Sequence, residues 1–163
     1  MSKAGALFRQ CGFSYVELLV SAAILAVLAS VAMPLAETTM KRQKEHDLMV
    51  ALRDIRQGID SYKKAAADNR IELLPGQSGY PPTLIDLVAG VRDKNNPDGA
   101  MLYFLRRLPR DPFYPDQAVA AIDSWGKRSF ASPSDAPTEG DDVFDVYSQS
   151  TQIGVNGVPY NEW

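Results

Sequence analysis

An apolar stretch near the N-terminus constrains the fold of this chain more than any other feature. From Phe13 to Ala36 the sequence runs for 24 residues with a single charged side chain, Glu17. A helix of about 20 apolar residues spans the hydrocarbon core of a bilayer. Because leucine, alanine, isoleucine and valine recur on every face, no side of the helix is reserved for water. The stretch predicts a membrane-spanning helix over residues 13–36, with a kink at Pro34.

The helical pattern continues beyond the apolar stretch with a different periodicity. Between residues 48 and 66 apolar side chains recur at spacings of three and four, which is typical of one stripe along a helix. The stripe consists of Leu48, Leu52, Ile55, Ile59, Tyr62 and Ala66. Charged residues occupy the other positions, so Glu45 and His46 are predicted to be exposed to solvent. We therefore expect one continuous helix from Phe13 to Ala67, whose second half lies on a globular domain.

After the long helix, the sequence predicts only short secondary-structure elements. Thr83 and Asp86 have the spacing of a capping box, which indicates a short helix that ends at Gly90. Residues 91–99 are polar and are predicted to form a loop.

Two segments further along alternate in polarity as strands do. Residues 127–132 and 143–148 are predicted to be strands joined by a loop. Asn156-Gly157 indicates a tight turn in the C-terminal segment, where Tyr160 and Trp163 are expected to be buried. The predicted fold class is α+β, with a long N-terminal helix packed on a small antiparallel β-sheet.

Composition excludes several classes of site. The 163 residues carry a formal charge of −3, which gives no general reason to bind nucleic acid. One cysteine, Cys11, and one histidine, His46, exclude an internal disulfide and a metal cluster built on either residue type.

The residues at the N-terminus form the pattern that says most about function. A short leader with Lys3 and Arg9 precedes Gly12 and Phe13, and Glu17 follows inside the apolar stretch. A carboxylate within a membrane costs about 2.5–3.5 kcal/mol, so an anchor with no further task would avoid it. Two other interpretations remain open, an acid at the level of the lipid headgroups and an ordinary secretory signal peptide.

These residues resemble the class III signal of type IV pilins and type II secretion pseudopilins. The resemblance implies that a prepilin peptidase cuts the Gly12–Phe13 bond and methylates the new amine of Phe13. It also implies a cleaved leader at 1–12, a single inner-membrane span at 13–36 and a periplasmic pilin-like domain at 37–163. Charge alone does not orient the span, because basic residues flank both of its ends. Within a filament, the amine of one Phe13 would pair with the Glu17 carboxylate of another copy.

Segments of the globular part resemble the major, G-type pseudopilin of type II secretion. The matching residues are Tyr103, Leu105, Arg107, Leu108, Pro109, Asp111, Pro112, Trp125, Gly126, Asp145, Val146 and Ser148. The resemblance implies a non-enzymatic filament subunit that assembles with itself and with other pseudopilins. It further implies an inner-membrane platform protein as a partner and the export of folded proteins as the task. A type IV pilin that serves adhesion, twitching or DNA uptake is the alternative, and an anchored enzyme is disfavoured.

Calcium is the one cofactor that the resemblance to G-type pseudopilins suggests. G-type pseudopilins usually bind it through acidic residues of the C-terminal loop, and calcium requires six to eight oxygen ligands. Residues 149–161 contain no acid here. Asp141 and Asp142, on the other side of the last strand, are weak candidates, and we expect them to form a solvated acidic loop. The prediction is therefore that no metal or other cofactor is bound.

Overall fold

One helix dominates the structure. A computed structural model of the chain describes residues 14–96 and 99–163, apart from the side chains of residues 31–34. Helix α1 spans Tyr15–Ala67, which confirms the predicted continuous helix. The described residues divide after Lys41 into an N-terminal unit and a globular unit that begins at Arg42.

The shorter elements all lie in the globular unit. They are α2 (Asp86–Ala89), β1 (Val91–Arg92), β2 (Met101–Leu102), a 3-10 turn (Ala121–Ser124), β3 (Trp125–Arg128), β4 (Asp145–Ser148) and a second 3-10 turn (Tyr160–Glu162). The strands form two antiparallel pairs, β1 with β2 and β3 with β4. The fold is therefore α+β, as predicted, with two small sheets in place of one.

The predicted stripe on α1 forms the centre of the core. All six of its residues are buried, and Leu48 and Ile55 are completely covered. The side chains packed around them include Leu84, Leu87 and Val146. Burying an aliphatic or aromatic side chain of this size contributes about 1.5–3 kcal/mol, so the stripe is the main anchor of the globular unit.

The end of β3 corrects the prediction for residues 127–132. Strand β3 starts two residues earlier, at Trp125, and stops at Arg128. Beyond that point the Asp142 carboxylate accepts the Ser129 hydroxyl at 2.8 Å and the Phe130 N–H at 2.9 Å. Since these bonds replace strand pairing, the chain leaves the sheet.

The prediction of a loop over residues 91–99 is wrong at its start. Val91 pairs with Leu102 and Arg92 with Met101. The ladder is prolonged by a bond from the Asp93 N–H to the carbonyl of Ala100, at 2.8 Å. A strand of two residues is too short to show alternation, so its formation depends on its partner.

Helix α2 confirms the predicted stop at Gly90, but it begins at Asp86 after Ile85, and no side chain caps its start. The Asp86 carboxylate accepts the backbone N–H and the hydroxyl of Thr83, both at 2.9 Å. Gly90 then ends the helix with a φ of 80°, a conformation that favours glycine.

Glu45 does not lie on the exposed face where the sequence placed it. Its residue is 8% exposed, and its Oε1 accepts bonds from the C-terminal segment. Tyr160 is completely buried, as predicted, whereas Trp163 is only partly covered. The predicted turn at Asn156-Gly157 is present, with Gly157 at a φ of 81°.

Candidate functional site

The first part of α1, residues 15–30, is largely apolar, and all of its residues are exposed. We call it the apolar segment. Its side chains are exposed, and Leu18, Ile24 and Leu28 each show more than half of their surface. The most apolar 18-residue window of α1 has a mean hydropathy of 2.4. Within residues 14–96 and 99–163, α1 is the one helix long and apolar enough to cross a membrane. Such a surface requires lipid or other apolar helices around it.

Two hydroxyl groups of α1 are satisfied by the helix itself. The Ser30 hydroxyl donates to the carbonyl of Val27 at 2.7 Å, and the Thr39 hydroxyl donates to that of Leu35 at 2.8 Å. A polar group in hydrocarbon must find its partner within the protein. These bonds are therefore compatible with an apolar surrounding.

Glu17 lies in the first turn of α1 and is exposed. The N–H groups of a first turn have no partner within the helix, and they favour a negative charge nearby. Gly12 and Phe13 lie outside the described residues, so cleavage and pairing with Glu17 stay predictions. The kink at Pro34 also stays a prediction, although α1 is helical through that position.

The segments that resemble G-type pseudopilins meet in one buried cluster. The Trp125 indole N–H donates to the carbonyl of Pro109 at 2.9 Å, across the twelve-residue insertion at 113–124. The Asp111 carboxylate accepts the Ser148 hydroxyl at 2.6 Å and the Phe113 N–H at 2.8 Å. Asp111 is 1% exposed and Ser148 is fully buried. The cluster thus fixes the β3–β4 pair to the loop that precedes it.

Arg56 is a structural residue that the sequence analysis missed. Its Nε lies 2.8 Å from Asp145 Oδ1, and its Nη2 donates to the backbone oxygens of Val146 and Trp163 at 3.1 and 2.9 Å. The guanidinium fork suits such a set of acceptors. No local signal marks Arg56, since its partners lie about ninety or more positions further along the chain.

The candidate metal ligands are not arranged as a metal site. Asp142 Oδ2 accepts the Ser78 hydroxyl, and Asp142 Oδ1 accepts the two bonds that end β3. Burial raises the pKa of Asp142, but the bonds to its carboxylate outweigh that effect, so the pKa lies below its usual 3.8. Asp141 is exposed. Among the described residues no three His, Cys, Asp or Glu side chains come together as metal ligands. Asp142 therefore has a structural role, since it ties the loop after β3 to residue 78.

Two side chains that could suggest catalysis have structural surroundings. Ser124 is fully buried, its hydroxyl donates to the carbonyl of Ala121 at 2.7 Å, and it accepts the Asp111 N–H at 3.2 Å. His46 is exposed on α1, as predicted. A serine nucleophile must be hydrogen-bonded to the side chain that acts as its base. Ser124 is bonded to backbone groups and His46 is exposed to solvent, so the two do not form such a pair.

Known proteins resemble this chain in its N-terminal motif and along most of its length. A family model described as "Prokaryotic N-terminal methylation motif" matches residues 7–33. A protein named type II secretion system core protein G, from Dickeya chrysanthemi, is 31% identical over 160 residues, covering 91% of this chain and 95% of the relative. A protein of the same name from Klebsiella pneumoniae is 29% identical over 144 residues, covering 83% of this chain and 93% of its own length. No solved structure matches the chain. The name of these two relatives does not describe an enzyme.

Proposed function

The chain belongs to the family of type II secretion system core protein G, and from that premise we propose that it is a structural subunit of a periplasmic secretion filament. In this proposal it has no enzymatic activity. Copies of the chain polymerise through α1, and the growing filament drives folded proteins across the outer membrane.

The observation that carries the proposal is the uncovered apolar segment. The globular unit begins at Arg42, within α1, and has its own core, so the apolar segment is not needed to complete that core. Each of its larger side chains gains about 1.5–3 kcal/mol when it leaves water. Before assembly the segment lies in the inner membrane, and after assembly it packs against the same segment of other copies.

Glu17 gives the assembly its register. A prepilin peptidase removes residues 1–12 and methylates the amine of Phe13, which stays positively charged. In the filament this amine pairs with the Glu17 carboxylate of an adjoining copy. A misplaced subunit leaves one of the two charges unpaired in an apolar core, at a cost of several kcal/mol. The pair therefore selects one arrangement of subunits.

The globular unit lies in the periplasm in this proposal. There it faces other pseudopilins, while an inner-membrane platform protein adds subunits at the base of the filament. The buried polar side chains of this unit find their partners within the protein, as is usual for a domain that folds in water. In the described residues no buried side-chain nitrogen or oxygen lacks a hydrogen-bond partner.

Glu17→Ala in the native host tests the proposal. We expect the variant to be processed at Phe13 and retained in the membrane, while sheared filament and the secreted proteins of the culture supernatant are lost. Glu37→Ala, which removes an exposed carboxylate further along α1, is the matched control and should behave as wild type. Normal filament yield from Glu17→Ala would contradict the assembly role.

Deletion of the whole chain separates secretion from a pilus. If the deletion removes proteins from the culture supernatant, the result supports the proposal that the chain is a subunit of a secretion filament. Surface pili that depend on this chain, with an unchanged supernatant, would instead show a type IV pilin.

A further inference from the structure

A buried carboxylate of α1 holds the C-terminal segment. Residues 149–163, which we call the tail, return to α1 after β4. Glu45 Oε1 accepts the Val155 N–H and the Tyr160 hydroxyl, each at 2.8 Å. Both donors are separated from Glu45 by more than a hundred positions. One oxygen atom therefore joins the start of the globular unit to its last residues.

The hydroxyl of Tyr160 is well suited to this contact. The Tyr160 residue is completely buried, and its ring stacks on Phe113 with a centroid distance of 3.9 Å. Burial, followed by the bond to Glu45, raises the pKa of Tyr160 above its usual 10.0. The hydroxyl consequently stays protonated and donates throughout the physiological pH range.

A second contact lies further along α1. Arg56 donates to the backbone oxygen of Trp163 at 2.9 Å and pairs with Asp145 at the start of β4. Glu45 and Arg56 are separated by eleven positions, which is about three helical turns. The tail is thus attached to α1 at two places, by an acceptor and by a donor.

The tail offers a calcium ion no adequate ligand set. Residues 149–161 contain no carboxylate, and Glu162 is exposed. The Asn156 side-chain oxygen already accepts the Val158 N–H at 3.0 Å. The Glu45 carboxylate, which binds the tail, already accepts two hydrogen bonds. Asp145 is paired with Arg56, whose positive charge repels a cation. Calcium requires six to eight oxygens, several of them charged. The residues present do not fit the ion that the family resemblance implies.

We propose that Glu45 and Arg56 form a metal-independent latch that fixes the tail, in place of the calcium ion implied for this segment. The tail of this chain then stays folded where calcium is scarce. The latch acts by positioning the tail and has no catalytic part.

Hydrogen exchange of the tail amides in the full-length chain, held in a non-ionic detergent, tests the latch. For the wild type we expect the same protection in millimolar calcium and in excess EDTA. Glu45→Ala leaves the Val155 and Tyr160 donors without an acceptor, so tail protection should fall about 10- to 100-fold. Tyr160→Phe removes one donor and should lower it about 10-fold.

Asp54→Ala is the matched control, because it removes an exposed carboxylate from the same helix. It should leave the tail unchanged. If EDTA opens the wild-type tail and calcium closes it again, the proposal is overturned. It is also overturned if Tyr160→Phe exchanges as the wild type does. Should Glu45→Ala fail to fold, these two outcomes still decide. The result does not depend on secretion, so the latch and the proposed function can fail separately.

Discussion

Asp111→Ala is expected to destabilise the globular unit strongly. The Asp111 side chain accepts the Ser148 hydroxyl at 2.6 Å and the Phe113 N–H at 2.8 Å, and water has no access to Ser148. Each donor left without an acceptor in such a place costs about 1–3 kcal/mol, so the variant should lose about 2–6 kcal/mol. Domains of this size are stable by about 5–15 kcal/mol, so much of the total is at stake.

Equilibrium urea unfolding of the full-length chain in detergent measures this loss. The fluorescence of Trp125 reports it, since its indole N–H is bonded to Pro109 beside Asp111. Ser148→Ala provides the second arm of a double-mutant cycle. Because the two side chains share one bond, the cycle should give a coupling energy of about 1–2 kcal/mol.

Two results would refute the reasoning. One is a loss of less than about 0.5 kcal/mol for Asp111→Ala, the level expected of an ordinary surface substitution. The other is simple additivity of Asp111→Ala and Ser148→Ala, since additivity is the behaviour of sites that do not interact.

Three further predictions concern acid, packing and assembly. The pKa of Asp142 is lowered from 3.8, and that of Asp93 is lowered by its bond to Arg70. Their stabilising contribution is complete above pH 3.8 and is lost as the pH falls through the lower folded values. The urea concentration at the unfolding midpoint should therefore fall as the pH is lowered below 3.8. Asp142→Asn should make this fall with pH less steep, and an equally steep fall in the variant would contradict the prediction. A Cβ on Gly126 would overlap the ring of Tyr147, so Gly126→Ala should cost about 1–3 kcal/mol in the same assay, and Tyr147→Ala should relieve the cost. For Glu17→Ala, mass spectrometry should still find a chain that begins at methylated Phe13; a retained leader would show that Glu17 acts in processing.

Local pattern was sufficient to predict α1. A run of apolar residues followed by a stripe of period 3.6 expresses itself within a few neighbouring turns, and helical bonds are made between residues four apart. The stripe from Leu48 to Ala66 was identified from spacing alone and is buried throughout. The stop signal at Gly90 and the turn at Gly157 are local in the same sense.

The errors fall on features that depend on distant residues. Strand β1 is too short to carry a pattern and exists because β2 pairs with it. Strand β3 ends early because Asp142, in the loop that leads to β4, captures the backbone at Phe130. Neither cause is visible in the residues of the segment itself.

The sequence by itself determined the apolar character of the first part of α1, the long helix and the buried stripe. All of these rest on composition and on contacts between near neighbours. Only the tertiary structure decided that Glu45 is buried and that Arg56 secures the tail. A charged residue on a helix has no local sign of burial, because the donors and acceptors that compensate its charge arrive from a part of the chain more than eighty positions away.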